Sequence, residues 1–225
     1  MRIGQPGKPR LYPVMIDLTG RRVVVVGAGS VGTQKLTALV TGGAVIDVVA
    51  PEATPAVRAL DRVGAVSWHR KLFAPEDLDG AVLVISAVDD PLVSRAVWEA
   101  ANKRTILANG ADDPDHCSFM LPAVHRDGDL VVAVSTGGAA PAVATRLRDR
   151  IAATVGHGQG PWLTFLARFR PLVKASFRTY EERRDAWYRI VDSDAQTRFQ
   201  TGDPAGATTT ISHAIGRVPK KEASV

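Results

Sequence analysis

The stretch VVVVGAGSVG, residues 23–32, decides the fold of this chain. Its four valines are typical of a parallel strand that is buried on both faces, and the apolar spacing of a helix follows Gly32. Gly27, Gly29 and Gly32 have the GxGxxG spacing, which in this strand-to-helix context predicts a dinucleotide-binding turn. The alternative is a glycine turn that binds nothing.

Each glycine of this turn has a separate physical task. Gly27 permits the tight turn out of the strand, and Gly29 lets the backbone approach a pyrophosphate with no Cβ in the way. Gly32 lets the helix pack close to the sheet. The phosphates then lie on unpaired N–H groups at the positive end of the helix. The predicted cofactor-binding residues of this loop are Gly27, Gly29, Ser30, Val31 and Gly32.

Strand and helix patterns alternate from residue 22 to residue 108. Apolar runs predict strands at 22–26, 45–50, 66–70, 82–87 and 105–108. Helices are predicted between them at 31–41, at 54–64 and from the cap-and-proline pair Asp90-Pro91 to about residue 102. This alternation predicts an α/β fold with a Rossmann-type, doubly wound parallel sheet.

The alternation of strand and helix patterns ends after Gly110. Residues 109–116 (NGADDPDH) are predicted to form a polar loop at the carboxyl end of a strand, where open α/β sheets bind their ligands. Two apolar runs follow at 119–124 and 130–135, and the Asp127-Gly128 pair between them predicts a hairpin outside the Rossmann unit. Helical patterns then cover 141–155 and, in two parts, 162–191.

These patterns divide the chain into five segments. We expect a flexible lead-in at 1–14, a Rossmann domain at 15–112, a small α+β region at 113–150, a helical domain at 151–195 and a partly disordered tail at 196–225.

The composition excludes several classes of protein. No apolar run approaches the ~18 residues that span a bilayer, and the first residues lack the apolar core of a secretory signal. The single cysteine, Cys117, excludes an internal disulfide and fits a reducing cytoplasm, where we expect the protein to reside. The net charge of +5 suggests anionic partners.

Several stretches resemble the precorrin-2 dehydrogenase family, which includes the N-terminal module of siroheme synthase and bifunctional dehydrogenase–ferrochelatases. The resemblance is carried by YPVMIDLTGRRVVVVGAGSVGTQKL, VVAPE, LVISAVDDP, NGADDPDHCSFMLPAV and LVVAVSTGGAAPAVATRLRDRI. Further on, RFRPLVKASF and EERRDAWYRIVDS resemble the family's C-terminal helices. The similar stretches lie within residues 11–193, so they extend well beyond the Rossmann part.

The resemblance implies an NAD-dependent oxidation of precorrin-2 to sirohydrochlorin in siroheme biosynthesis, with hydride passing to NAD and a proton lost. It also implies a homodimer formed through 113–150 and a substrate cleft between the NAD domain and the helices. Some members also insert Fe²⁺ into sirohydrochlorin, and this alternative stays open. An alternative of another class is a nucleotide-sensing Rossmann module without catalysis; the match beyond Asn109 argues against it.

Asp112 is the candidate catalytic residue. A carboxylate in a strand-end loop beside a second one, Asp113, suits a general acid or base. Asp112 also matches the carboxylate proposed in the family for proton transfer and metal entry. The alternative is ordinary turn chemistry, which an Asp-Asp-Pro sequence also favours. The histidines lack metal-ligand spacing, so no fixed metal site is predicted and Asp112 is expected to meet a metal only transiently.

Five further residues are candidates for substrate binding. Asn109 orients substrate or cofactor, or instead caps its loop, and Phe119 either faces the tetrapyrrole or packs in the core. Ser135 and Thr136 either present hydroxyls to an anion or serve the helix that follows. Arg146 belongs to residues 141–190, where ten Lys and Arg stand against four Asp and Glu. This excess suits the carboxylates of precorrin-2, and no nucleic-acid recognition motif accompanies it.

The choice of cofactor depends on the end of the second strand. A Rossmann NAD site usually has an acid there, which binds the ribose 2′-OH. This chain has Ala50-Pro51 instead, with Glu52 just beyond. No arginine follows until Arg58, which favours NAD over NADP. Pro51 and Glu52 are therefore also predicted to bind the cofactor.

Overall fold

The computed structural model describes residues 11–216, which form two compact units. One unit contains residues 11–121 and 137–139, and the other contains 122–136 and 140–216. Of the predicted flexible lead-in, residues 1–10 lie outside the described part, while 11–14 have no regular secondary structure and are exposed.

The first unit is built on a sheet of six described strands. These are β1 (Arg22–Val26), β2 (Val45–Val49), β3 (Ser67–His69), β4 (Leu83–Ser86), β5 (Leu107–Gly110) and β6 (Asp113–Cys117). Their spatial order is β3-β2-β1-β4-β5-β6, with β6 antiparallel to β5 and every other pair parallel. The order reverses between β1 and β4, which is the switch point of a Rossmann sheet, so the predicted fold class is confirmed.

Side chains of each strand point alternately to the two faces of this sheet, and helices cover both faces. The helices are α1 (Ser30–Thr41), α2 (Pro55–Arg62) and α3 (Pro91–Lys103), with a short 3-10 helix at Pro75–Leu78. Val23 and Val25 of β1 pack with the apolar side chains of α1 and α2, whereas Val24 and Val26 pack with those of α3. All four valines are buried, as the apolar run predicts.

The polar loop predicted at 109–116 is largely strand, so that prediction is wrong. β5 continues through Gly110, and β6 returns at Asp113 after a turn of only two residues. The sequence of this segment has no apolar run and no alternation of apolar and polar residues, so it does not predict a strand. The strand forms because pairing with β5 satisfies its backbone hydrogen bonds. The predicted domain boundary at 112 therefore lies inside the sheet, and the unit extends to Leu121.

The second unit begins with the predicted hairpin, which is confirmed. Its strands are β7 (Ala123–Asp127) and β8 (Leu130–Val134), and the turn between them places Gly128 at a φ of 55°. Up to residue 216, where the described part ends, six helices follow: α4 (Pro141–Val155), α5 (Gln159–Ala167), α6 (Arg170–Ser176), α7 (Tyr180–Val191), α8 (Ala195–Gln200) and α9 (Pro204–Gly216). No helix within residues 11–216 is long and apolar enough to cross a membrane.

The helical part differs from its prediction in two places. The pattern at 162–191 contains three helices rather than two, because the chain is extended at Phe177 and a capping box at Thr179 starts α7. The tail from residue 196 is not disordered as far as residue 216, since it forms most of α8 and all of α9. Ala207 and Ile211 of α9 are fully buried, and this packing stabilises a segment whose composition is rich in small residues. Residues 217–225 lie outside the described part.

Candidate functional site

Two glycines of the loop between β1 and α1 are required by close packing. Gly27 has a φ of 99°, and a Cβ built there would lie 2.2 Å from the carbonyl oxygen of Ala87, the residue after β4. A Cβ on Gly32 would lie 2.2 Å from the carbonyl oxygen of Gly27. Only glycine at both positions lets α1 approach the sheet this closely.

Gly29 is glycine for a different reason. Among the described residues, no atom lies within 4 Å of a Cβ built on Gly29, so the space in front of it is open. α1 starts at Ser30 with no side-chain cap and no acidic residue in its first turn, so its first N–H groups are available. Open space and free N–H groups at a helix N-terminus fit the pyrophosphate of a dinucleotide. Exposed Ser30 and Val31 stay predicted contacts.

The turn after β2 is tied to the glycine loop. The N–H of Thr54 donates to the carbonyl oxygen of Ala28 (3.1 Å), and the Thr54 hydroxyl lies 2.9 Å from that of Thr33. These bonds hold residues 50–54 beside the loop. Pro51 and Glu52 are exposed within this turn, and both stay predicted cofactor contacts.

Asp112 lies at the same edge of the sheet as the glycine loop. β1, β4 and β5 are parallel, so their carboxyl ends share one edge, and Asp112 is in the turn that follows β5. The N–H of Ala111, its neighbour in the turn, donates to the carbonyl oxygen of Ser86 at the end of β4 (2.8 Å). Asp112 is exposed and has a φ of 57°, a left-handed conformation that aspartate tolerates. Its carboxylate is therefore open to a ligand at this edge.

The neighbouring carboxylate has a different partner. Oδ2 of Asp113 lies 2.7 Å from Nδ1 of His116, and the His116 ring is 5.9 Å from that of Trp98. Asp112 and Asp113 thus differ in their contacts, although they are adjacent in sequence. In residues 11–216 no three His, Cys, Asp or Glu side chains are grouped so as to hold a metal ion.

Asn109 is buried, and its side chain holds the return of β6. Its Nδ2 donates to the carbonyl oxygen of Phe119 (3.0 Å) and to Sγ of Cys117 (3.4 Å). Phe119 is partly buried and packs against the core of α1 and α2. Burial raises the pKa of the Cys117 thiol, which disfavours its thiolate form. These contacts support the structural alternatives for Asn109 and Phe119, and their contact with substrate stays a prediction.

The other three candidates for substrate binding belong to the second unit. Ser135 is exposed directly after β8. The Thr136 hydroxyl accepts a hydrogen bond from the N–H of Ala140 (3.2 Å) and so closes the turn that precedes α4. Arg146 is exposed on α4. The structure therefore groups Asp112, Asn109 and Phe119 in one unit and these three residues in the other.

Many basic side chains of the helices have no acidic partner. Arg148 and Arg184 pair with Asp149 and Asp185, and Arg183 and Arg189 donate to backbone carbonyls. Within the described residues, six exposed ones make no ion pair: Arg146, Arg150, Arg168, Arg170, Lys174 and Arg178. Unpaired guanidinium groups are available to carboxylates of a ligand.

Arg70 is a residue that the sequence argument missed. It directly follows β3, and the sheet order places β3 beside β2, so Arg70 lies next to the end of β2. Along the chain the first arginine after Ala50 is Arg58, whereas Arg70 is a neighbour of Ala50 only across the sheet. The predicted strand at 66–70 contained the necessary signal, because parallel strands end at one edge.

Comparison with known proteins identifies three consecutive matches to family models. An NAD(P)-binding model matches residues 14–123, the central region of sirohaem biosynthesis proteins matches 127–154, and the sirohaem synthase dimerisation region matches 158–215. The last of these lies C-terminal to the predicted dimerisation region at 113–150, which stays a prediction.

Curated relatives agree with these matches. The siroheme synthase of Photorhabdus laumondii is 36% identical over 78% of this chain and 37% of its own length. That of Methylobacillus flagellatus is 39% identical over 92% of this chain and 43% of its own length. The chain thus spans less than half the length of these relatives.

A solved structure matches most of the chain. The structure of SirC, a precorrin-2 dehydrogenase, matches with a TM-score of 0.75 and 26% identity, over 90% of this chain and 100% of its own. Three consecutive family matches, the relatives and this structure agree with one another. The chain belongs to the family of siroheme synthases and precorrin-2 dehydrogenases.

Proposed function

We propose that this chain catalyses the NAD-dependent oxidation of precorrin-2 to sirohydrochlorin, a step of siroheme biosynthesis. The observation that carries the proposal is the position of Asp112, an exposed carboxylate on the sheet edge that also bears the glycine loop. The similarity to a precorrin-2 dehydrogenase over 90% of the chain supports the substrate. The proposed compartment is the cytoplasm, where a thiol such as Cys117 stays reduced.

The oxidation removes a hydride and a proton from the substrate, so the site needs an acceptor for each. NAD, when bound, supplies the hydride acceptor. The open face at Gly29 and the N–H groups of Ser30 and Val31 hold its pyrophosphate. Asp112 accepts the proton, because its carboxylate is exposed, whereas that of Asp113 is engaged by His116.

The substrate carries many carboxylates, and we propose that exposed basic side chains of the helices, Arg146 among them, bind these carboxylates. Six exposed Lys and Arg side chains, Arg146 among them, make no ion pair within residues 11–216. Charge-assisted bonds from guanidinium to carboxylate are short and directional, so they orient the substrate as well as bind it. We include homodimer formation in the proposal, since one of the matched family models is a dimerisation region.

The decisive experiment mixes the protein with NAD⁺ and freshly prepared precorrin-2 and follows NADH formation and the tetrapyrrole spectrum. The wild-type chain is expected to convert precorrin-2, and Asp112→Asn to lower kcat about 10²–10⁴-fold, the usual contribution of a general base. Asparagine keeps the left-handed turn, so NAD⁺ affinity is expected to be unchanged. Asp115→Asn, at an exposed carboxylate in β6, the strand that follows Asp112, is the matched control and is expected to keep full activity.

Two outcomes contradict the proposal. An Asp112→Asn enzyme with wild-type turnover removes the base assignment. Tight NAD⁺ binding without any conversion of precorrin-2 by the wild-type chain instead supports a nucleotide-sensing module and contradicts the enzymatic function itself.

A further inference from the structure

The end of β2 lacks the group that normally distinguishes NAD from NADP. In Rossmann folds an acid here accepts a hydrogen bond from the ribose 2′-OH, and its negative charge repels a 2′-phosphate. Ala50 occupies this place and is 4% exposed, with its side chain in the core of α1 and α2. The position therefore neither anchors a ribose hydroxyl nor rejects a phosphate.

A basic residue stands beside this position on the next strand. β2 and β3 are parallel with Val49 opposite His69, so Ala50 and Arg70 follow as neighbours. The N–H of Ala50 donates to the carbonyl oxygen of His69 (3.2 Å), and Nε1 of Trp68 donates to that of Ala50 (3.0 Å). The N–H of Lys71 also donates to His69 (2.9 Å), so the chain turns sharply at Arg70.

The side chains on either side of Arg70 have acidic partners, and Arg70 has none among the described residues. Nε2 of His69 lies 2.8 Å from Oδ1 of Asp47, and Lys71 forms an ion pair with Asp77. Arg70 is exposed and makes no ion pair or side-chain hydrogen bond within residues 11–216. The N–H donors of a guanidinium group lie in one plane and match the oxygens of a phosphate, and no described residue accepts hydrogen bonds from those of Arg70.

We propose that the dinucleotide site takes NADP as well as NAD, with Arg70 binding the 2′-phosphate of the adenosine ribose. The inference rests on the dinucleotide site of the proposed function. The acid in the nearby turn, Glu52, is exposed two residues beyond Ala50 and is the group that would oppose a phosphate there. The neighbouring cation offsets this repulsion, so the affinities for the two cofactors are expected to lie within about tenfold of each other.

The test measures binding of nucleotide fragments that need neither nicotinamide nor tetrapyrrole. The complete chain is titrated calorimetrically with 5′-AMP and with adenosine 2′,5′-bisphosphate, and then with NAD⁺ and NADP⁺. The wild-type chain is expected to bind the bisphosphate at least as tightly as AMP. Arg70→Ala is expected to lower the affinities for the bisphosphate and NADP⁺ about tenfold and to leave those for AMP and NAD⁺ unchanged. Arg70→Glu is expected to lower the affinities for the bisphosphate and NADP⁺ further.

Two control variants use the other charged residues of this region. Arg58→Ala removes an exposed arginine of α2 and is expected to change no affinity. Glu52→Gln removes the negative charge of the nearby turn and is expected to raise the affinity for the bisphosphate relative to that for AMP. Loss of AMP binding in Glu52→Gln would show that Glu52 anchors the ribose and, with an unchanged Arg70→Ala variant, would overturn the inference.

The remaining outcomes separate this inference from the proposed function. A wild-type chain that binds AMP but binds the bisphosphate at least a hundredfold more weakly overturns the inference alone. If Arg58→Ala lowers the affinity for the bisphosphate and Arg70→Ala does not, Arg70 is not the residue that binds the 2′-phosphate. Absence of binding by AMP and NAD⁺ alike overturns the dinucleotide site, and with it both proposals.

Discussion

Gly29 and Gly32 stand three residues apart and are glycine for different reasons. A Cβ on Gly32 would lie 2.2 Å from the carbonyl oxygen of Gly27, whereas a Cβ on Gly29 meets no atom of the described chain within 4 Å. Gly32 allows the close packing of α1, and Gly29 leaves room for a ligand. Substitution by alanine therefore separates stability from cofactor binding.

We expect Gly32→Ala to lower the free energy of unfolding by about 1–3 kcal/mol, since backbone must move to admit the methyl group. Gly29→Ala is expected to cost less than about 1 kcal/mol, because its φ of −74° suits alanine, and to weaken NAD⁺ binding at least tenfold. Urea unfolding and calorimetric titration of both variants measure the two effects. Wild-type NAD⁺ affinity in Gly29→Ala would place the pyrophosphate elsewhere.

Residue identity predicted the glycine loop well because each glycine acts through its own backbone. Asn109 shows the opposite case. Its amide is a reasonable ligand for a substrate, yet the structure uses it to bond the backbone of Phe119, ten residues away. The hydrogen-bond partner of a polar side chain depends on which segment the fold brings beside it, and a single sequence does not show that.

At the scale of elements, the hairpin and α5 are joined by a carboxylate. The N–H of Gln159 at the start of α5 donates to Oδ2 of Asp127 at the end of β7 (2.8 Å). Hydrogen bonds from the backbone of Gly160, and then of Gln159 and Gly158, lower the pKa of Asp127 from its ordinary value of 3.8. A carboxylate at a helix N-terminus is favoured by the helix dipole as well.

Asp127→Ala is expected to destabilise the chain at neutral pH. The folded pKa lies below the unfolded one, so the stabilisation is complete above the unfolded pKa and is lost as the pH falls through the folded pKa. The difference in thermal stability between wild type and variant should therefore close below about pH 4. Asp129→Ala, at the exposed turn residue nearby, is the control and should match wild type throughout. A difference that persists at low pH would contradict this role.

Elements with strong periodicity or clear caps were predictable, and those formed by pairing were not. Thr54 and Asp90 cap α2 and α3 as the cap-and-proline pairs indicate, because capping is a local interaction. β6 has the sequence DPDHC and no strand pattern. It forms because β5 offers it backbone partners, an interaction between residues that the local pattern does not show.

On the scale of the whole molecule, α4 has an apolar surface that stays exposed among the residues the structure describes, 11–216. Among its fifteen described residues only Ala144 is buried, while Val143 and Leu147, on the same face, are 50% and 39% exposed. A helix is stabilised mainly by burial of one apolar face, so this face is expected to be covered by a second copy. That surface lies in the region 113–150 predicted for dimerisation.

We expect light scattering to give twice the chain mass of 24.0 kDa for the wild type. The double variant Val143→Asp, Leu147→Asp should give the monomer mass at the same concentration, since two charges would be buried in the interface. Leu92→Asp, at a 78% exposed leucine of α3, is the matched control and should remain dimeric. A dimeric double variant would place the interface elsewhere, as in the matched region 158–215.

The sequence alone determined the Rossmann half of this protein and the glycine loop, because these depend on periodicity and on the backbone freedom of single residues. The family resemblance also came from the sequence alone, since it rests on the residue identities of the similar stretches. Only the tertiary structure decided which residues share the sheet edge. It brought Arg70 beside Ala50 from a neighbouring strand and made β6 part of the sheet. It also buried the predicted tail as helices. These outcomes follow from pairing and packing between distant segments, whose free energy does not appear in any local pattern.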